Sequence, residues 1–192
     1  MENLLKIINQ YTPLDKQMEM ELINIVTKRV IPAGEYLLKA GQISSSILFI
    51  EQGAVYYYKI DKEGKERVVH FTFEGDLFSD LESYSTGIPS NFYIKTLEPS
   101  IVYRLEKRHL DNFLEKDLRW ERLMRLFMQD ALIKIVGDKK NRGTLSNTEH
   151  YVKLVETYPD LLNRVPLYLI ASYLNITPEG LSKIRRRIIN KR

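Results

Sequence analysis

The chain of 192 residues contains no cysteine. Disulfides, thiolate zinc sites, iron–sulfur clusters and cysteine nucleophiles are therefore excluded. Histidine is nearly as scarce: His70, His109 and His150 are the whole supply, which argues against haem. A cupin-type metalloenzyme needs two histidines one residue apart, a further histidine and a carboxylate, and His70 alone falls in a β-rich stretch. No apolar run reaches the roughly 18 residues that span a bilayer, and the opening MENLLKIINQ lacks the layout of a signal peptide. A glycine-rich phosphate loop, a nucleophile elbow and a His/Asp pair around a serine are also missing, and Ser44-Ser45-Ser46 reads as a polar loop. These absences point away from an enzyme and from a membrane partner. The expected location is the cytoplasm.

Acidic residues are missing from one place in particular. From Lys183 to Arg192 there are six Lys or Arg and no acid, against a formal net charge of +4 for the whole chain. The rest is near neutral, so the charge is concentrated where a polyanion would be met.

Residues 2–29 read as helical, with a break at Thr12-Pro13 and a helix start beside Asp15 and Lys16. From about Val30 to Leu105 short β-rich runs are punctuated by glycines: EYLLKA, SILFI, AVYYYKI, RVVHFTF, FYIKT and SIVYRL. That spacing predicts a compact antiparallel barrel or roll, with DKEG at 61–64 as a hairpin turn. Strand periodicity predicts that the three tyrosines 56–58 alternate between faces, so that some face outward. From about Glu106 the texture is helical again. Between Trp120 and Val136, 11 of 17 residues are apolar, including Trp120, Leu123, Phe127, Ala131 and Ile135. Such a helix is apolar over most of its circumference and packs both on its own roll and on something else, most simply the same helix of a second copy. The polar stretch 137–150 reads as a hinge. The expected divisions are 1–116 for the roll with its N-terminal helices, 117–142 for the long helix and hinge, and 143–192 for a C-terminal helical domain.

In that last domain LYLIASYLNITPEGLSKIRRR predicts two helices, about 167–174 and 178–189, joined by a tight turn. Ala171 is small where helices cross, Asn175 tolerates a left-handed backbone, and Ile176 plugs the angle. Thr177 caps the second helix with Pro178 in its first position. Leu181, Ile184 and Ile188 give an inward stripe, while Glu179, Ser182, Lys183, Arg186 and Arg187 face out. A helix of this kind enters the major groove, with its first residues at base edges and its later cations near phosphates.

IPAGEYLLKAGQISSSILFIEQGAV, the long apolar helix and the terminal helix-turn-helix together resemble the Crp/Fnr family of transcription regulators over nearly the whole chain. The resemblance implies an α+β fold: an antiparallel, jelly-roll-like β-roll of the cyclic-nucleotide-binding type flanked by helices, a long dimerisation helix and an all-α helix-turn-helix domain. It implies a homodimer on a palindromic operator in double-stranded DNA, with RNA polymerase as a further partner. Residue by residue, the family's base-reading glutamate falls on Glu179 and its basic reader on Lys183; Pro178 stands where an arginine often precedes the glutamate. Five residues follow Arg187, so the wing of many relatives is not expected. The family's phosphate-binding cassette falls on FSDLESYSTGIPSNFYIKT. There Asp80-Leu81 stand for the ribose-binding Glu-Leu, Ser79 for a glycine, and Ser90 and Asn91 for the arginine and its neighbour. A buried phosphate without a guanidinium is uncompensated, so cyclic AMP is not the expected effector and no cofactor is assigned. The alternative is a signalling module that binds a ligand or protein, with vestigial DNA binding.

Overall fold

A computed structural model describes residues 1–190, and the side chains of all these except 138, 139, 141 and 142. Lys191 and Arg192 of the basic tail lie outside the described residues. The chain divides into two compact units: Met1–Tyr56 with Phe71–Ile133, and Tyr57–His70 with Lys134–Arg192.

In the first unit, helices α1 (Glu2–Tyr11) and α2 (Lys16–Ile25) precede the first strand. Asp15 caps α2, its carboxylate accepting from the Met18 N–H. The helical reading of 2–29 runs too long. Strand β1 begins at Val26 and runs to Ile31, because Val26 to Ile31 pair in unbroken antiparallel register with β8 (Ser100–Glu106). Tertiary pairing here overrides a local pattern that fits a helix equally well. The strands form two four-stranded sheets, ordered β1-β8-β3-β6 and β2-β7-β4-β5. The remaining strands are β2 (Tyr36–Leu38), β3 (Ser46–Gln52), β4 (Val55–Ile60), β5 (Glu66–Thr72), β6 (Leu77–Phe78) and β7 (Tyr93–Thr96).

Register assigns the faces of the first sheet. Phe49 lies opposite Tyr103 and Ile47 opposite Leu105. Phe49, Tyr103 and Leu105 pack with Leu4, Ile8, Met18 and Leu22 of α1 and α2 and with Trp120 and Leu123 of α5 (Leu118–Thr144). The other face carries Leu48, Ile50 and Val102, also buried. A strand covered on both sides reads as a continuous apolar run, which is why SILFI does not alternate. Tyr56, Tyr57 and Tyr58 are likewise all buried, so the expectation that some face outward is overturned: β4 is covered on both faces. A second cluster joins Ile47, Tyr84 of α3 (Leu81–Thr86), Leu110 of α4 (Lys107–Lys116) and Phe127 of α5.

In the second unit the β4–β5 hairpin turns through DKEG as expected. Gly64 has φ +78°, and the Asp61 carboxylate accepts from the Glu63 and Lys65 N–H groups and from Arg67 Nε at 2.7 Å. The stretch read as a hinge is helical as far as Thr144, the end of α5. Ser146 then caps α6 (Asn147–Thr157) in a reciprocal box with Glu149. A short α7 (Leu161–Arg164) leads to α8 (Leu167–Tyr173) and α9 (Pro178–Ile189). The Ser172 hydroxyl of α8 accepts from the Val68 N–H and donates to the Glu66 carbonyl, each at 3.0 Å, along β5.

Candidate nucleic-acid interface and effector region

The turn between α8 and α9 is built as the residues require. Asn175 has φ +54° and is the one described non-glycine residue with positive φ. Asparagine accepts this conformation at lower cost than most residues. Ile176 N–H donates to the Ala171 carbonyl at 3.0 Å. Ala171 is fully buried at the crossing, with Leu174, Leu181 and Ile184 also buried. Ile176 and Ile188 are half-buried, so Leu174 shares the role of plug expected of Ile176. The Thr177 hydroxyl accepts from the Gly180 N–H at 3.1 Å, and Pro178 takes the first helical position.

Thr177, Pro178, Glu179, Ser182, Lys183, Arg186 and Arg187 are all exposed. Glu179, Ser182, Lys183 and Arg186 stand at i, i+3, i+4 and i+7, so they share one face of α9. The Glu179 carboxyl lies below its ordinary range. Its own backbone N–H contributes most, then the Thr177 hydroxyl, and Lys183 adds an opposite charge. The face thus carries an ionised acceptor at its start and cations further along, each at the helix end its sign prefers.

On α5, Trp120, Leu123 and Phe127 are buried within the chain's own clusters. The exposed apolar residues of α5 lie on a different face. Ala131 is half-buried and Ile135 exposed. Met128, Ala131, Leu132, Ile135 and Val136 follow the i, i+3, i+4, i+7, i+8 pattern of a single stripe. Leu132, Ile135 and Val136 are more than half exposed.

The cassette positions are closed by their own contacts. Asp80 is buried and caps α3, its carboxylate accepting from the Ser83 N–H at 3.3 Å. Ser90 is buried, and its hydroxyl bonds the Phe92 N–H and carbonyl. Leu81 is half-buried and Asn91 exposed. The Ser79 hydroxyl bonds Ser44 Oγ and donates to the Ser46 carbonyl, both at 3.0 Å.

Ser79 also lines a cleft of about 510 Å³ in the first unit, together with Arg29, Ser44, Ser45, Ser46 and Arg104. Arg29 and Arg104 are 75 positions apart, and no local pattern in the sequence links them. Register does: Arg104 lies opposite Thr27, and Arg29 opposite Val102, so both side chains leave the same face of neighbouring strands.

Fold and site define the class as a cyclic-nucleotide-binding-type roll followed by a helix-turn-helix. Residues 28–117 match the cyclic nucleotide-binding domain family. A stretch of 109 residues is 33% identical to the fumarate nitrate reduction regulatory protein of Klebsiella oxytoca, covering 55% of this chain and 42% of the relative. The chain thus covers less than half the length of the curated relatives it matches. Among solved structures, FixK2 from Bradyrhizobium japonicum is similar with a TM-score of 0.74 at 15% identity, over 87% of this chain and 86% of that one. A putative Crp/Fnr-family regulator from Eubacterium rectale is similar with a TM-score of 0.70 at 12% identity, over 95% and 88%. At these identities the likeness is one of fold. Sequence match and fold agree: residues 28–117 match a cyclic nucleotide-binding domain, and the fold is shared with the solved Crp/Fnr-family regulator. Among the described residues no helix is long and apolar enough to cross a membrane.

Proposed function

We propose that this chain is a homodimeric, sequence-specific DNA-binding regulator that inserts α9 into the major groove and works without cyclic AMP. The observation that carries the reading is the exposed face of Glu179, Ser182, Lys183 and Arg186 on a helix entered through a left-handed Asn175 and capped by Thr177. Glu179 suits a cytosine amino group, and Lys183 suits guanine O6 and N7. Arg186 and Arg187 are placed later on the helix, where phosphates run. The uncovered stripe on α5 supports a two-fold partner, whose second α9 meets the next half-site about one helical turn away. The closure of Asp80 and Ser90 by their own hydrogen bonds supports independence from cyclic nucleotides. RNA polymerase is a partner that this reading carries over from the family alone.

The test is a genomic-fragment binding selection with the purified protein, without ligand and at stated salt. The expected result is one enriched palindromic motif. Lys183→Ala should relax selectivity at one base pair per half-site, costing about 1–3 kcal/mol there, while sequence-blind binding to phosphates persists. Binding that is only sequence-blind in the unsubstituted protein, or a motif unchanged by Lys183→Ala, refutes the assignment.

A further inference from the structure

The cleft in the first unit is not used by the DNA-binding reading, and of the cassette positions it includes Ser79 alone. We propose that it binds a small organic monoanion, a carboxylic acid with a short apolar body, held by Arg29 and Arg104.

The lining carries these two guanidiniums and no carboxylate. Arg29 has no ion-pair or side-chain hydrogen-bond partner among the described residues. Arg104 is only partly engaged. Its Nη2 donates to Ser45 Oγ at 3.3 Å, and its Nε lies 3.0 Å from Glu106 Oε1. That Nε is nevertheless buried without a hydrogen bond. The Glu106 pair is therefore close enough to count in charge but misaligned as a bond. A buried donor left unmade carries a desolvation cost, so Arg104 is incompletely satisfied by its own chain.

Two guanidiniums beside one carboxylate leave a single positive charge. This balance suits a carboxylate, which arginine grips with two parallel N–H donors, better than a dianionic phosphate ester. The rest of the wall divides by chemistry. Ser44, Ser45 and Ser46 bring hydroxyls to the polar side, while Leu38, Leu48 and Ile94, all buried, form the apolar one. The volume is in the range of small-molecule sites and well above what a bare anion needs. The cations come from β1 and β8, outside the cassette. The site thus gives the roll a way to hold an anion although Ser90 replaces the cassette's arginine.

The experiment is calorimetric titration of the full chain with acetate, hexanoate and phenylacetate, with neutral hexanamide and inorganic phosphate beside them. It needs no DNA, so its failure and that of the DNA-binding reading are separate. The expected result is saturable binding of hexanoate or phenylacetate, tighter than acetate and absent for hexanamide. Arg29→Gln and Arg104→Gln should each weaken it tenfold or more. Arg29 is exposed, so its variant tests the site with folding intact, and Arg104→Lys should retain part of the affinity. Any one of four results overturns the proposal: no saturable binding of any of the three acids, equal binding of hexanamide, affinity unchanged in both Gln variants, or preference for phosphate.

Discussion

Truncating the uncovered stripe of α5 tests the proposed dimer directly. Burying a Leu or Ile side chain completely stabilises by about 2 kcal/mol. Leu132 is 61% exposed and Ile135 55% exposed in the protomer, so covering the remainder contributes about 1 kcal/mol each. A two-fold axis counts every such change twice. Leu132→Ala should then weaken the dimer by about 2 kcal/mol, or about thirtyfold in dissociation constant. Leu132→Ala with Ile135→Ala should weaken it on the order of a thousandfold, if the two sites add. The protomer itself should hold, because alanine is the better helix former and neither side chain is in the core. Sedimentation equilibrium over a concentration series gives the constants, and denaturant unfolding of the monomeric variant checks that the fold survives. The reasoning is refuted if the unsubstituted chain sediments as a monomer at micromolar concentrations, or if the doubly substituted chain associates as tightly as the original.

Gly53 has φ +104°, and a Cβ there would lie 2.7 Å from Ser100 Cβ and 2.8 Å from Ser100 Cα. Gly53→Ala should therefore cost about 3 kcal/mol or more in denaturant unfolding, from left-handed strain plus overlap with backbone that no rotamer relieves; a loss below about 1 kcal/mol counts against this account. Asp61 has its carboxyl held below its ordinary value of 3.8, first by the Lys65 N–H and then by Arg67, against an opposing effect of burial. A depressed native value means that the unfolded state binds the proton first, so this stabilisation is present above pH 3.8 and lost as pH falls below it. The stability gap between the original chain and Asp61→Asn should accordingly narrow on acid titration through that window; a gap that widens there shows the sign to be wrong.

Local chemistry was legible where one residue does one job. Thr177 as a cap, Asn175 as the left-handed residue and DKEG as the turn all read directly, because caps and turns are solved within a few residues. What depends on distant partners did not read. Leu22, Ile25 and Val26 satisfy a helical template, and only the pairing of Val26 with Leu105 ends α2. The three tyrosines of β4 obey strand periodicity, yet alternation says nothing about whether the second face is covered. Trp120 is the most conspicuous apolar residue on α5, yet it lies in the chain's own core with Leu4, Met18 and Leu22. The cassette residues were located by resemblance, but that Asp80, Ser90 and Ser79 bond Ser83, Phe92 and the 44–46 loop is a fact of three dimensions. Arg29 and Arg104 carry no sequence signal at all, since their nearness is created by strand register.

The Ser172 hydroxyl has a consequence for how the molecule behaves in a crowd. β5 ends its sheet, and an end strand offers a row of unpaired N–H and C=O groups to any passing chain. A carbonyl at one residue and an N–H two residues on point to the same side of a strand. Glu66 and Val68 present such a pair, and one serine occupies both groups. A side chain from a helix thereby imitates the bonding of a neighbouring strand. It takes one carbonyl and one N–H of that edge out of reach of a second copy's strand.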